Sequence, residues 1–313
     1  HLTPLQAKNE ATTMFIGLFE DPKISNFHPI TYTRALPEVR LGPQTLLQKA
    51  ELELGRVDGV FIREYLAETF REKHSQQVNP DYVDDHALLI NSRLLLDSDT
   101  AKKLLKKAAL KESFTITNSA DIVAVKASPR TTLQTLNALV DALSKGNYET
   151  FQKTAATLEK MELPTAQLIE TPQQLISLNP QSIKKYFKKL KDKTGQGYVD
   201  PKAVIHCEHQ IYVAKGARVD AYAVLDAREG PIIVDADAEI MPHAVIKGPA
   251  YIGKNASIES HAHIETSSIG EACKAEGKIT QTILHGYSDT AYTVYISYAY
   301  ILSLIHISEP TRP

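Results

Sequence analysis

Branched aliphatic residues return every six positions through the second half of the chain: Val234, Ile240, Ile246, Ile252, Ile258 and Ile264. Four places after each stands a small residue: Ala238, Ala244, Ala250, Ala256, Ala262 and Ser268. Neither the helical period nor plain strand alternation gives this spacing. A six-residue repeat predicts a parallel β-helix, in which each hexad makes one short strand and one turn. The aliphatic side chain points into the core, and the small residue lets the chain turn without a clash. Upstream, Val213, Val219 and Leu225 keep the step, with Ala217 and Ala223 in the small position. Val199, Ala203 and Ile205 form a rougher copy. Leu225 to Val234 is a step of nine, so Asp226–Pro231 carries three extra residues, a loop pushed out of the coil. The step shortens to five at Ile269 and blurs after Gly277. Three hexads per coil give roughly five coils.

The first half has a different rhythm. Met14–Phe19 (MFIGLF), Gly59–Arg63, Ala87–Ile90 and Asp121–Lys126 read as strands. Gln44–Leu54, Glu64–Lys73 and Thr100–Lys111 read as helices, the last with a basic outer face. Leu133, Leu136, Val140 and Leu143 follow a helical spacing. Gly146-Asn147 breaks it, and a second helix runs from Tyr148 to Met161. Alternating strands and helices predict an α/β domain with a largely parallel sheet. Ligands in such sheets sit at the carboxyl ends of strands, which here carry Glu20, Asp21, Asn91 and Arg93. Ile183, Phe187 and Leu190 line one face of a short helix whose other face holds Lys184, Lys185, Lys188, Lys189 and Lys191. That basic run is read as a solvated face on a linker helix.

Composition adds limits. The chain has 313 residues and 43% hydrophobic content, enough for two ordinary domains. A net charge of −2 gives no general attraction to nucleic acid or an anionic membrane. No apolar run reaches membrane-span length. Two cysteines, Cys207 and Cys273, suit a reducing, cytoplasmic setting without a disulfide framework. Residues 1–13 precede the first plausible start, Met14, and are read as a non-native leader. Residues 302–313 (LSLIHISEPTRP) resemble the conceptual translation of a sequencing adapter, which implies a β-helix truncated after Ile301. The expected layout is therefore an α/β domain over 14–193 and a β-helix over 194–301.

Two segments carry a resemblance to a known family. One is Phe19-Glu-Asp21 with Pro29-Ile-Thr-Tyr-Thr-Arg34 and Glu38-Val-Arg40-Leu-Gly42. The other runs from Val224 to Pro231, through Ile246–Gly253, to His285-Gly-Tyr-Ser288. Across Met14–Ile301 the chain resembles the GlmU-like family, sugar-1-phosphate nucleotidyltransferases fused to hexapeptide-repeat acetyltransferases. The resemblance implies a left-handed β-helix, an exception to the usual right-handed crossover. It implies a nucleoside triphosphate and a hexosamine-1-phosphate as substrates, acetyl-CoA as acyl donor, Mg²⁺ at the nucleotidyl half, and a homotrimer built through the β-helix. The product would be a nucleotide-activated N-acetyl amino sugar. Carried over residue by residue, Arg34 stands in the run that follows the family's phosphate loop. Arg40 is a second phosphate candidate, and Asn91 and Arg93 stand where the metal-binding Asp belongs. Glu20–Phe27 has no glycine where the family has a glycine-rich loop. On the acetyltransferase side a Tyr, Tyr292, occupies the place of the family's general base, and His285 is the nearest surviving histidine. Arg228, Lys247 and Tyr287 are candidates for sugar-phosphate or CoA contacts. Arg228 also reads as half of an ion pair with Asp226 or Glu229.

Two other readings stay open. One is a non-catalytic trimeric scaffold whose α/β half binds a sugar nucleotide without turnover. The other is a γ-carbonic-anhydrase-like zinc protein, since His243 and His261 are 18 apart, one coil, and should stack.

Overall fold

The apolar run Phe15–Phe19 forms β1, an interior strand of the first sheet. The computed structural model describes residues 14–83, 86–109, 113–118, 121–127, 129–190, 195–290 and 294–302. The leader, most of the adapter-like tail, Lys191, Thr194 and Tyr292 lie outside them. The remaining strands of this sheet are β2 (Gly59–Phe61), β3 (Gln77–Val78), β4 (Ala87–Asn91), β5 (Phe114–Asn118), β6 (Asp121–Ala127) and β7 (Glu159–Glu162). Their order is β3-β2-β1-β4-β6-β5-β7. β6 runs antiparallel to both neighbours; every other pairing is parallel. Reversing β6 brings its first residue, Asp121, to the same edge as the last residue of β4.

Helices α1 (Leu46–Leu54), α2 (Ala67–Lys73), α3 (Ser98–Ala108), α4 (Pro129–Ser144) and α5 (Tyr148–Ala155) complete this first unit. α3 begins at Ser98 because Asp97 accepts the Thr100 amide. Leu136, Val140, Leu143 and Phe151 are buried as their spacing requires. The helix expected to run to Met161 ends at Ala155, and β7 pairs with β5 instead. The sequence pattern showed neither strand; β7 is mostly charged, so its pairing with β5 rather than its local pattern makes it a strand.

The second unit is a left-handed parallel β-helix, with three parallel sheets of five, six and six strands. The six aliphatic positions from Val234 to Ile264 are fully buried. Val234 pairs with Ile252, Ile240 with Ile258 and Ile246 with Ile264, one coil apart. Leu225 pairs with Ile246 across the three-residue insertion, as expected. The coil continues where the pattern blurs: Ile279 pairs with Ile296 and Leu284 with Ile301.

The compact units divide the chain differently from the sequence boundary. Residues 39–45 and everything from Thr171 onward belong to the second unit. Helix α6 (Pro172–Lys189) buries Ile183 and Phe187 against Ile233 and Tyr251 of the coils, while its lysines face solvent. Residues 39–45 form a hairpin between Arg40–Leu41 and Gln44–Thr45. Asn179 Oδ1 in α6 accepts from the Gly42 amide at 3.0 Å and from Ser268 Oγ at 2.8 Å. Thus α6 is a packed element of the β-helix unit.

Candidate functional site

In the first unit, chemistry-bearing side chains gather at the carboxyl edge of β1, β2 and β4. Glu20, just past β1, accepts the Leu36 amide at 2.8 Å and Arg63 Nε at 3.0 Å. Arg63 also donates to the carbonyls of Thr31 and Arg34. The segment after β1 starts as a two-turn 3-10 stretch, Pro22–Phe27. Further on, the Ala35 amide is taken by Glu38 Oε2 at 2.9 Å. Two backbone amides past this segment, Ala35 and Leu36, are thus spent on carboxylates, and within it the Ile24 amide donates to the Asp21 carbonyl at 3.0 Å.

Asp21 and Arg93 form the centre. Arg93 Nε lies 3.0 Å from both Asp21 oxygens, and Nη2 lies 2.6 Å from Oδ2. Nη1 reaches Glu170 at 2.8 Å, and Nη2 stands 3.3 Å from Asp121. Asn91 Nδ2 donates to Asp21 at 2.8 Å, and its Oδ1 accepts the Arg93 amide. Arg93 is 0% exposed. Burial alone would lower its pKa; the hydrogen bond and charge of Asp21, then Glu170, more than reverse this and hold it above the ordinary arginine value. Lys23 closes the group from the solvent side, 2.7 Å from Asp121. Three carboxylates therefore meet two cations. The positive charge of Arg93, expected to meet phosphate, is matched inside the protein.

Beside this network lies a cleft of about 420 Å³, lined by Asn118, Asp121, Thr165, Gln167 and Glu170 among others. Its wall is mostly polar, suited to hydroxyl-rich ligands. A resident Mg²⁺ would need free carboxylates. Asp21 is engaged on both oxygens, and Lys23 and Arg93 occupy Asp121. Among the described residues no group of three or more His, Cys, Asp or Glu side chains is placed to hold a metal ion. The donor set does not fit a resident Mg²⁺.

The network has a pH consequence. Burial raises the Asp121 pKa, but hydrogen bonds and charge from Lys23 and Arg93 outweigh it, so it lies below the ordinary 3.8. A carboxylate depressed in the folded state adds stability above that ordinary value and loses it as pH falls through the folded value. The first unit is expected to weaken on acidification below about pH 4. Lys23→Met should flatten that acid limb, read as urea midpoints across the range; an unchanged limb would remove the Lys23–Asp121 pair from the account.

The second unit collects two other candidates. Arg40 is buried, donating to the Pro43 carbonyl at 2.8 Å and ion-paired with Glu271. Its backbone amide donates to the Tyr300 hydroxyl at 2.8 Å, and the Tyr300 ring lies 6.5 Å from the His285 ring. So Arg40 and His285 gather around Tyr300, while Arg34, Asn91 and Arg93 belong to the first unit. Lys247 lies in register between Asp226 and Glu265 of adjacent coils. Arg228 pairs with Asp226 at 2.6 Å on the extruded loop. That pair is exposed, so Arg228→Ala is expected to leave the melting midpoint unchanged by calorimetry. Tyr287 is an exposed turn residue at φ 62°. His243 and His261 do stack, with ring centroids 5.1 Å apart.

The sequence reading placed Asp21, Asn91 and Arg93 at one edge but missed Lys23, Arg63, Asp121 and Glu170. Their separations along the chain carry no motif; the hints were Arg63 closing one expected strand and Asp121 opening another.

A comparison with curated proteins returned no match. Among protein families, the model described as sugar nucleotidyl transferase matches residues 16–194, more than half of the chain. That span includes the Asp21–Arg93 network and its cleft. No helix among the described residues is long and apolar enough to cross a membrane. The chain belongs to the sugar nucleotidyl transferase family.

Proposed function

We propose that the first unit transfers a nucleotidyl group from a nucleoside triphosphate to a sugar-1-phosphate. An oxygen of the sugar phosphate attacks the α-phosphorus, the bond to the β-phosphate oxygen breaks, and pyrophosphate leaves. The observation that carries this reading is the polar cleft beside Asp121 and Glu170, at the sheet edge where α/β folds bind ligands. Arg34 is the proposed phosphate contact. Mg²⁺ is proposed to enter with the triphosphate rather than as a resident ion.

For the β-helix we propose acetyl transfer from acetyl-CoA to the amine of a hexosamine-1-phosphate, the GlmU-like pairing. His285 is the candidate base, and Arg40, Arg228, Lys247 and Tyr287 are candidate contacts for the phosphate or CoA. The active form is proposed to be a cytoplasmic homotrimer joined through the coils.

A second reading has its own support. The Ala35 and Leu36 amides and the Arg93 charge are already satisfied by carboxylates. This favours a first unit that binds a sugar nucleotide without turning it over, as a scaffold would.

The test incubates the full-length protein with glucosamine-1-phosphate, acetyl-CoA, UTP and Mg²⁺, following pyrophosphate and free thiol in parallel. Pyrophosphate release supports nucleotidyl transfer, and thiol release supports acetyl transfer. Thiol alone means acetyl transfer beside a silent nucleotidyl unit. Neither signal, across a panel of sugar phosphates and nucleotides, would leave the scaffold reading.

A further inference from the structure

We infer that the exposed rings of Tyr32 and Tyr65 form the platform on which the planar base of the nucleotide stacks. The inference rests on the nucleotidyl reading and adds the place of the base to it.

Both residues follow adjacent parallel strands. Phe19, the end of β1, is in register with Phe61, the end of β2. Tyr32 lies in the segment after the first and Tyr65 in the segment after the second, at the edge where ligands bind. One nitrogen ties the two segments: Arg63 Nη1 donates to the Thr31 carbonyl and to the Tyr65 hydroxyl, each at 2.6 Å. The Tyr65 hydroxyl and the backbone carbonyl directly before Tyr32 therefore share one donor.

The rings are held yet open. Tyr32 stacks on His28 with centroids 4.1 Å apart and planes 20° apart, and it remains 57% exposed. The His28 ring is itself positioned by Thr31 Oγ1 at 3.2 Å. One face of Tyr32 is thus backed by an imidazole while much of the ring meets solvent. Tyr65 is 63% exposed, with the Arg63 guanidinium 5.3 Å from its ring centroid. Fixing an exposed aromatic side chain in advance removes entropy that binding would otherwise cost. Base-on-aromatic stacking tolerates any base, because every base has a π-face. The platform therefore selects a nucleotide over a bare polyphosphate and leaves the choice of base to other contacts.

The chain contains no tryptophan. Tyr32→Trp therefore keeps a stacking ring and supplies one reporter. The full-length variant is titrated separately with ATP, CTP, GTP, UTP, inorganic tripolyphosphate and glucosamine-1-phosphate. At least one nucleotide is expected to quench the introduced indole saturably, and tripolyphosphate and the sugar phosphate are expected to leave it unchanged. By calorimetry, Tyr32→Ala and Tyr65→Ala should each bind that nucleotide roughly tenfold or more weakly than the unmodified protein. Both positions are exposed, and circular dichroism checks that the variants stay folded. Nucleotide binding with an unquenched indole and unchanged alanine variants would overturn the platform alone. Equal quenching by glucosamine-1-phosphate would overturn the assignment to a base. An unmodified protein that binds none of the four nucleotides would overturn the nucleotidyl reading and the platform with it.

Discussion

Arg93→Met is expected to cost the first unit about 3–5 kcal/mol of stability, the usual penalty for removing one partner of a buried ion pair. The side chain is fully buried and its fork is saturated by Asp21 and Glu170, with Asp121 close by. Asp21 is also buried, and the variant leaves it with the Asn91 amide as its remaining side-chain donor among those described. An uncompensated carboxylate in that setting must stay charged in a poor solvent or take up a proton. Against a typical domain stability of about 5–15 kcal/mol, the loss is a large fraction. Arg93→Lys should recover little, because an ammonium cannot span the two Asp21 oxygens as the planar fork does. Asp21→Asn in the Arg93→Met background should restore part of the loss, since the stranded charge is gone. Urea denaturation followed by circular dichroism measures all three. A midpoint unmoved by Arg93→Met would show that the network is not what joins these strand ends.

The other large effect is expected at Gly270. Three glycines, Gly253, Gly270 and Gly286, stand on successive coils at the turn that follows one sheet of the β-helix. A Cβ on Gly270 would press on the Gly286 backbone nitrogen and come within 2.8 Å of its Cα. A Cβ on Gly253 would lie 2.6 Å from the Gly270 carbonyl carbon. The obstacle is backbone in both cases, so no side chain can swing aside. Relief requires the coils to part, and they are held by the ladder in which the Gly270 amide donates to Leu284 at 2.9 Å. Overpacking of this kind costs about 1–3 kcal/mol, and the upper end is expected because the neighbour cannot change rotamer. Gly270→Ala should lower the melting midpoint of the β-helix, read by calorimetry. Gly55→Ala is the control for added bulk, since nothing lies within 4 Å of a Cβ there, although its φ of +87° adds strain. If Gly270→Ala melted with the unmodified protein, close coil contact would not be the reason for glycine at this turn.

The β-helix was legible because its period writes the inward positions directly into the chain. Val234 to Ile264 fill one core, and each step of 18 residues returns to the same sheet. Legibility failed where the step varied. Ile264 pairs with Ile279 and Ile269 with Leu284, shorter intervals than the repeat, so the last coils had no fixed period to find. In the first unit, Phe15–Phe19 and Ala87–Asn91 were visible as apolar runs buried on both faces. Glu159–Glu162 was not, because it is mostly charged and becomes a strand only by pairing with Phe114–Asn118, which itself pairs along Asp121–Ala127. Of the candidate site, Asp21, Asn91 and Arg93 could be placed at one sheet edge from sequence alone.

What the amino-acid sequence determined by itself was the pair of architectures: a coil from a six-residue period, and an α/β sheet from alternating strands and helices. Both are local or periodic properties, carried by residues a fixed number of steps apart. The tertiary structure alone decided the rest. It returned residues 39–45 to the β-helix unit. It brought Asp121 and Glu170 onto Arg93 from far along the chain, and it closed the glycine turns against one another. Those outcomes depend on which elements become neighbours, and neighbours distant in sequence leave no period to read.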